Sequence, residues 1–321
     1  MKAIVCNSFG SIRNLQFSDM DKPIPAKDEV LIKVDYCGVN FPDTLIVQGK
    51  YQFQPEFPFA PGGEVTGTVV TAGSDVSHFK EGDVVLAAMG WGGFAEYAVA
   101  KASNTFVIPH GVEHKAAAAL LETYATAIYA LIDRGGLQEA ETLAVLGAAG
   151  GTGTAAVQLG KQLGARVIAC VSTEEKAKFA KANGADEVID YTSDDLKRSL
   201  KDLGGCDVVF DPVGGENAEK AFRGLKPNGR HLVVGFASGN IPRLPWNLPL
   251  LKSASIVGVF WGHFWRNRAE ENEKNVRQLL QWLAEGKIKP HITQEFRLEE
   301  AVQGLVDIAE RRVKGKIILK V

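Results

Sequence analysis

The chain has 321 residues, of which 45% are hydrophobic, and this length and composition are enough for two domains with separate packed cores. A formal net charge of −2 excludes the strongly basic surface of proteins that bind nucleic acid or anionic membranes. No apolar run approaches the about 20 residues of a membrane span and no signal-peptide pattern opens the chain, so we expect a cytoplasmic protein with no membrane or nucleic-acid partner.

Roughly the first 120 residues predict short β-strands that are separated by Gly and Pro. The segments are EVLIKVDYCGV (29–39), GEVTGTVVTAG (63–73), GDVVLAAMG (82–90) and GFAEYAVA (93–100). Strands this short and this closely spaced are typical of a small antiparallel barrel or sandwich.

The pattern changes at about residue 140, where apolar strands begin to alternate with helices. The predicted strands are TLAVL (142–146), ARVIAC (165–170), EVIDY (187–191), CDVVFD (206–211), GRHLVVG (229–235) and ASIVGV (254–259). Strands that are apolar on both faces and alternate with helices indicate a parallel, doubly wound α/β sheet. After residue 262, two helices (270–288 and 298–311) and a last strand (315–321) either extend this sheet or return to the first domain.

A glycine-rich turn follows the first strand of this predicted sheet, in VLGAAGGTGTAAVQLGKQLG (145–164). Gly150 and Gly153 fit the second and third glycines of the G-x-G-x-x-G motif, and Ala148 occupies the first position. Glycines there let the backbone approach a pyrophosphate, and the helix N-terminus supplies N–H groups for it. We expect dinucleotide binding; the alternative is a tight strand-to-helix turn that binds nothing.

The end of the second strand indicates which dinucleotide is bound. An NAD site usually has an acidic residue about 20 residues beyond the glycines, which accepts hydrogen bonds from the ribose 2′-hydroxyl. Ser172 and Thr173 stand there instead, and Lys176 follows as a cation that can neutralise a 2′-phosphate. This favours NADPH, while the alternatives are that Ser172 caps the next helix and that Lys176 is a solvated charge.

The four cysteines are Cys6, Cys37, Cys170 and Cys206, which lie far apart in the sequence. Three of them, all except Cys37, lie in apolar, strand-like segments. We therefore expect buried free thiols rather than disulfides or a metal cluster.

Seven motifs together resemble one family. They are CGVNFPDTLIVQGKY (37–51), PGGEVTGTV (61–69), GAAGGTGTAAVQLGKQLGARVIA (147–169), GADEVIDY (184–191), DVVFDPVGG (207–215), VVGFASG (233–239) and GKIILKV (315–321). The chain resembles, end to end, the medium-chain dehydrogenase/reductase superfamily, and within it the zinc-free quinone oxidoreductases of the zeta-crystallin-like branch.

The resemblance implies an α/β protein of two domains. A GroES-like β-rich catalytic domain over residues 1–122 would be completed by residues 263–321. A Rossmann domain with a doubly wound parallel sheet would span residues 123–262, with NADPH in the cleft between. The resemblance also implies a homodimer, in which the strand at 254–260 would form the interface edge.

The resemblance implies cofactor-binding positions as well. Asn40 and Thr126 would approach the nicotinamide, Ala149, Gly150, Gly151, Thr152 and Gly153 would line the pyrophosphate, and Ser172, Lys176 and Tyr191 would form the 2′-phosphate pocket. Val213, Gly214, Phe236, Ala237, Ser238, Phe260 and Trp261 would flank the ribose and nicotinamide. Alternatively, Tyr191 is an ordinary strand-end aromatic residue, and Phe260 and Trp261 pack in a core or a subunit interface.

We expect no metal, because Gly63 stands where the zinc-dependent branch of the superfamily has a histidine and no Cys lies between residues 38 and 169. Without zinc, the acceptor must already be electrophilic, as a quinone is. Tyr51 is the candidate proton donor, because related enoyl-thioester reductases carry a tyrosine acid at that motif position. The alternative is that Tyr51 only packs on the substrate. Asn40 and Asp43 are further polar candidates, although an Asx turn explains Asp43 equally well.

Three functions are compatible with this sequence. The first is NADPH-dependent, zinc-independent reduction of a quinone or a similar electrophilic acceptor. The second is an enoyl or enone reductase, which would act on a small-molecule enone or thioester with Tyr51 as proton donor. The third is an NADPH-binding protein with little catalysis.

Overall fold

The computed structural model describes all 321 residues, and its contacts divide the chain into two units. Unit 1 comprises Met1–Glu122 and Phe264–Val321, and unit 2 comprises Thr123–His263. The C-terminal segment thus belongs to the same unit as the N-terminal strands, which answers the question that the sequence pattern left open.

The strands and helices are as follows. The strands are β1 (Lys2–Val5), β2 (Gln16–Asp19), β3 (Glu29–Val39), β4 (Glu64–Ala72), β5 (Val84–Ala88), β6 (Tyr97–Lys101), β7 (Thr105–Val107), β8 (Thr142–Leu146), β9 (Arg166–Val171), β10 (Glu187–Asp190), β11 (Cys206–Asp211), β12 (Leu225–Val233), β13 (Ser255–Gly258), β14 (Ile292–Arg297) and β15 (Lys316–Lys320). The helices are α1 (Phe41–Ile46), α2 (His114–Ala117), α3 (Thr126–Ile128), α4 (Gly151–Gln162), α5 (Glu174–Ala182), α6 (Leu196–Asp202), α7 (Gly215–Gly224), α8 (Asn247–Lys252), α9 (Trp261–Asn267), α10 (Ala269–Ala284) and α11 (Ala301–Ala309).

Unit 1 is built around a seven-stranded sheet in the order β14-β15-β3-β4-β5-β7, with β6 paired to β3. The predicted short strands of the first domain are present, and they pair antiparallel. The last strand, β15, also pairs antiparallel with β3, so that Ile318 lies opposite Gly38. This pairing brings residue 316, near the end of the chain, beside residue 40, where the unit's polar side chains gather.

Unit 2 contains a six-stranded parallel sheet in the order β10-β9-β8-β11-β12-β13. The chain moves outward from β8 through β9 to β10, and then restarts at β11 on the other side of β8. The point between β8 and β11 is therefore a topological switch point, and in such sheets ligands bind outside the carboxyl ends of the strands. The predicted doubly wound sheet is confirmed.

One helical stretch corrects a sequence expectation. Residues His114–Arg134 form a stretch of 21 residues that is long and apolar enough, by length and composition, to cross a membrane. The expectation that no apolar run approaches this length is therefore wrong. The stretch is 72% buried over its most apolar window, which is typical of a core helix in a soluble protein.

Candidate functional site

The glycine-rich turn lies at the carboxyl end of β8. Gly147 directly follows the strand with a φ of +59°, a conformation that favours glycine, and Gly150 is the N-cap of α4. A Cβ at Gly153 would lie 2.2 Å from the carbonyl oxygen of Gly147, so only glycine lets the helix pack this close to the turn. The predicted residues Ala149 to Gly153 thus form the turn and the first turn of α4, where backbone N–H groups lack carbonyl partners within the helix.

The three residues predicted for the 2′-phosphate pocket lie close together at the ends of β9 and β10. Lys176 Nζ is 3.4 Å from Ser172 Oγ, and the Tyr191 N–H donates to the Val171 carbonyl at 3.0 Å. All three predicted side chains are half-buried. The helix cap is not Ser172 but Thr173, whose Oγ1 accepts from the Lys176 N–H at 3.2 Å. Ser172 is therefore not used as the cap, and its hydroxyl instead faces the Lys176 ammonium group.

Asp211, which sequence analysis did not single out, fixes the turn after β11. Its Oδ1 accepts from the N–H groups of Val213 at 2.9 Å and Gly214 at 2.8 Å, and its Oδ2 lies 3.0 Å from His231 Nε2. Asp211 and His231 are both buried. A buried carboxylate with this many hydrogen bonds holds the backbone of Val213 and Gly214 in one conformation.

The turn after β12 packs against this first turn. The Ser238 N–H donates to the Val213 carbonyl at 2.9 Å, and the Ala237 N–H donates to the Pro212 carbonyl at 3.0 Å. A Cβ at Gly214 would lie 2.8 Å from the ring of Phe236, so the close packing of the two turns requires glycine. The residues predicted from the DPVGG and GFASG motifs therefore form one group.

The remaining predicted residues of unit 2 differ in exposure. Phe260, just after β13, is 41% exposed, whereas Trp261 is only 4% exposed and begins α9. Thr126 is half-buried and lies between two π-helical segments, Leu121–Ala125 and Tyr129–Arg134. Such segments are rare and are frequent at functional sites. Apart from Thr126, the predicted residues of unit 2 all follow the carboxyl ends of its parallel strands.

In unit 1, Asn40 and Asp43 lie at the start of α1 and are both buried. The Asn40 N–H donates to Asp43 Oδ2 at 2.8 Å, and the Gly62 N–H donates to Asp43 Oδ1 at 3.1 Å. Burial raises the pKa of Asp43 to about 7, against the two N–H groups and Lys316, which lower it. Both Asp43 oxygens thus accept backbone hydrogen bonds, which favours a structural role for this carboxyl.

A buried ion pair that sequence analysis missed fixes the Asn40 amide. Glu64 on β4 is 0% exposed, and its Oε1 lies 2.6 Å from Nζ of Lys316 on β15, which is 4% exposed. Asn40 Nδ2 donates to Glu64 Oε1 at 3.0 Å, and Lys316 Nζ donates to Asn40 Oδ1. The charged partners lie far apart in the sequence, and each is the first residue of its strand. No local motif links the two charges, so the sequence carries no signal that pairs them.

Tyr51, Glu122 and Arg266 form the more accessible part of this site, and all three are half-buried. Burial, followed by the charges of Glu64 and Asp43, raises the pKa of Glu122 to about 8. Burial, followed by the charge of Glu122, raises the pKa of Tyr51, while Arg266 lowers it. This arrangement places a neutral carboxylic acid, a phenol and a guanidinium in one electrostatically connected group.

All four cysteines are free and buried, which confirms the prediction. Burial, followed by the charges of Asp43 and Glu64, raises the pKa of the Cys37 thiol well above its ordinary value. The Cys37 thiol donates to the Glu64 carbonyl at 3.0 Å. A neutral, buried thiol of this kind is a poor nucleophile.

Known proteins resemble this chain along its whole length. Residues 26–110 match the family described as alcohol dehydrogenase GroES-like domain, and residues 151–285 match the family described as zinc-binding dehydrogenase. Quinone oxidoreductase-like protein 2 of Bos taurus is 40% identical over 295 residues, which cover 91% of this chain and 84% of that protein. Quinone oxidoreductase of Rattus norvegicus is 34% identical, with 99% and 97% of the two chains covered. The chain belongs to the quinone oxidoreductase-like branch of the medium-chain dehydrogenase/reductase superfamily.

A solved structure of a quinone oxidoreductase has the same fold as this chain. The crystal structure of Escherichia coli quinone oxidoreductase complexed with NADPH has a TM-score of 0.94 and 28% identity, and 100% of each chain is covered. The predicted family and the predicted combination of a GroES-like domain with a Rossmann domain are confirmed. The protein is thus an enzyme of the oxidoreductase class.

Proposed function

We propose that this oxidoreductase uses NADPH to reduce quinones or similar electrophilic acceptors, without zinc. The observation that carries the cofactor choice is the pairing of Ser172 and Lys176 at the end of β9, where an NAD site has a carboxylate. A hydroxyl and an ammonium group recognise a 2′-phosphate, which a carboxylate would repel. The similar Escherichia coli enzyme was crystallised with NADPH, which supports this choice.

Unit 2 would hold the cofactor along its carboxyl edge, and unit 1 would act as the catalytic domain. The first amides of α4, from Gly151 to Gly153, would bind the pyrophosphate, and the turns that contain Val213 and Ser238 would flank the ribose and nicotinamide. NADPH supplies a hydride to the acceptor when it is bound. The protein's task is then to orient the acceptor, exclude water and provide a proton.

The polar site of unit 1 supports a reaction without zinc. Gly63 offers no side chain as a ligand, and the Asn40 amide is committed to Glu64 and Lys316. We find no group of three or more His, Cys, Asp or Glu side chains that is arranged to hold a metal ion. The site instead carries acids and a guanidinium, which suit an acceptor that is electrophilic before it binds.

Steady-state turnover with NADPH tests this function. We expect the purified protein to oxidise NADPH with 1,4-naphthoquinone as acceptor, and to keep this activity after dialysis against EDTA. The kcat/KM for NADH should be at least about tenfold lower than that for NADPH, because NADH lacks the 2′-phosphate and its contacts. Activity that is lost on chelation and restored by zinc would overturn the zinc-independent reaction.

Reduction of an enone or enoyl thioester is the second candidate, and the position of Tyr51 favours it. This phenol lies half-buried near Glu122 and Arg266, where a proton donor for a developing enolate would be needed. A short enoyl thioester tested beside 1,4-naphthoquinone separates the two functions. Higher kcat/KM for the thioester, with loss of that activity in Tyr51→Phe, would favour the second candidate.

We also propose a homodimer that forms along β13, the outer strand of the unit 2 sheet. Ile256 on this strand is exposed, as are Ile241 and Trp246, and all three line a cavity of about 450 Å³. An unpaired strand edge beside exposed apolar side chains is suited to pairing with a second copy. Light scattering tests this, because a single species at monomer mass would contradict it. Cytoplasmic location stays a prediction, which cell fractionation tests.

A further inference from the structure

Glu122 is an acidic side chain to which neither the sequence motifs nor the proposed cofactor contacts assign a role. It follows α2 in the first turn of a π-helical segment, and its backbone N–H donates to Glu64 Oε2 at 3.0 Å. This hydrogen bond anchors the Glu122 backbone to the buried ion pair of unit 1. The carboxyl group of Glu122 has no hydrogen-bond partner of its own, in contrast to those of Asp43 and Glu64.

Two glycines lie beside the Glu122 carboxyl and the Arg266 guanidinium. A Cβ at Gly63 would lie 3.1 Å from Glu122 Oε1 and 3.5 Å from the Gly90 carbonyl oxygen. A Cβ at Gly90 would lie 2.8 Å from the Arg266 guanidinium. Any side chain at these two positions would press against the carboxyl and the guanidinium, so glycine leaves both groups uncovered on this side. Glu122 is half-buried, so its side chain is not sealed inside the core.

The charges around Glu122 come from several elements, and they favour its neutral form. Glu64 and Asp43 are like charges, and Lys316 and Arg266 are opposite charges that act less strongly than burial. Lys316 is committed to Glu64 and Asn40, and the Arg266 guanidinium stacks on Phe53 at 3.9 Å from the ring centroid. Of the acids in this group, Glu122 is thus the one that carries a proton at neutral pH without a partner to hold it.

We propose that Glu122 is the acid that gives the acceptor its proton after hydride transfer, an inference that rests on the function proposed above. A quinone that accepts a hydride has gained two electrons and one hydrogen nucleus, and becomes a hydroquinone monoanion. The O–H bond of the Glu122 carboxyl breaks, and its proton binds the phenolate oxygen. The resulting carboxylate is protonated again from water before the next turnover. Glu122 in this way supplies by proton transfer the charge neutralisation that zinc supplies in metal-dependent relatives.

Tyr51 is the rival donor, and the structure favours Glu122 over it. The pKa of Tyr51 is raised, because the phenol is buried near the acids. The pKa of Glu122, about 8, lies near neutral pH, where a general acid is most effective. Tyr51 would then pack beside the acceptor and exclude water.

The pH dependence of kcat/KM with 1,4-naphthoquinone tests the assignment in four proteins: wild type, Glu122→Gln, Glu122→Asp and Tyr51→Phe. We expect the wild-type value to fall about tenfold per pH unit above about pH 8, because the acid must be protonated. Glu122→Gln should lower kcat/KM at neutral pH by about 100-fold and abolish this fall. Glu122→Asp should restore part of the activity together with the pH dependence. Tyr51→Phe tests the rival donor and should keep the pH dependence, whatever its effect on the rate; loss of the pH dependence in Tyr51→Phe instead of Glu122→Gln would overturn the assignment.

A second readout uses the protein without cofactor or acceptor. The infrared difference spectrum between about pH 6 and about pH 9 should show the carboxylic acids of Asp43 and Glu122 losing their protons, and in Glu122→Gln only the Asp43 contribution should remain. Glu113→Gln, a change at an exposed position just before α2, is the matched control and should leave spectrum and turnover unchanged. If the wild type reduces the quinone and Glu122→Gln has the same pH profile of kcat/KM as the wild type, this inference is overturned and the proposed function is not. A wild type that reduces no quinone would overturn the proposed function, and this inference with it.

Discussion

The two units of the molecule build their polar sites in different ways. In unit 2 the site consists of backbone turns at the ends of neighbouring parallel strands, and each turn is a short continuous motif. In unit 1 the site consists of side chains from positions 40, 64, 122 and 316, which only the tertiary fold brings together. A site made of local turns is visible in a sequence, whereas a site made of distant side chains is not.

The largest effect should come from breaking the ion pair of unit 1 with Lys316→Met. This change leaves the Glu64 carboxylate buried without a cation, so we expect the free energy of unfolding to fall by about 3–5 kcal/mol. Urea denaturation measures it. Lys320→Met, at an exposed position of the same strand, should cost less than about 0.5 kcal/mol. Equal losses for the two variants would show that the pair contributes no more than a surface lysine.

The second effect is a dependence of stability on pH that unit 1 should impose. The pKa values of Asp43 and Glu122 rise from 3.8 and 4.5 in the unfolded chain to about 7 and about 8 in the folded chain. Acids with raised pKa values contribute stability that is complete below the unfolded value and is lost as the pH rises through the folded one. We expect the free energy of unfolding to fall from about pH 5 upward by about 1.4 kcal/mol per pH unit for each group, until about pH 7 for Asp43 and about pH 8 for Glu122.

Glu122→Gln is the variant that isolates one group in this pH series. Its slope should be shallower than the wild-type slope by the contribution of one proton, and above about pH 8 it should be the more stable protein. Parallel curves for the two proteins would show that Glu122 does not keep its proton on folding.

The third effect separates folding from binding in the glycine turn of unit 2. Gly153→Ala forces a Cβ against the Gly147 carbonyl, so it should lower the free energy of unfolding by about 1–3 kcal/mol. Gly150→Ala meets only an ordinary contact of 3.4 Å, so stability should change by less than about 0.5 kcal/mol. Its methyl group should instead weaken NADPH binding about tenfold, which fluorescence titration measures. Equal destabilisation by both changes would contradict this division of roles.

Much of the fold followed from the sequence, because strand hydrophobicity and glycine turns are local properties. The assignment of the helix cap did not, since Ser172 and Thr173 are adjacent hydroxyl residues and only the backbone geometry selects Thr173. The apolar stretch at 114–134 was also missed, because Glu122 and other polar residues interrupt it in the sequence while the fold buries most of it. Glu64 and Lys316 could not be paired from the sequence, because nothing local links a charge on β4 to a charge on β15.

A titration with NADPH and with NADH, followed by quenching of tryptophan fluorescence, tests whether Ser172 and Lys176 select the cofactor. Lys176→Ala and Lys178→Ala are compared with the wild type, because Lys178 is an exposed lysine of the same helix that pairs with Glu174. We predict that the wild type binds NADPH at least about tenfold more tightly than NADH, a difference of about 1.4 kcal/mol, and that only Lys176→Ala loses this preference. Equal wild-type affinity for the two cofactors would show that Ser172 and Lys176 do not recognise a 2′-phosphate.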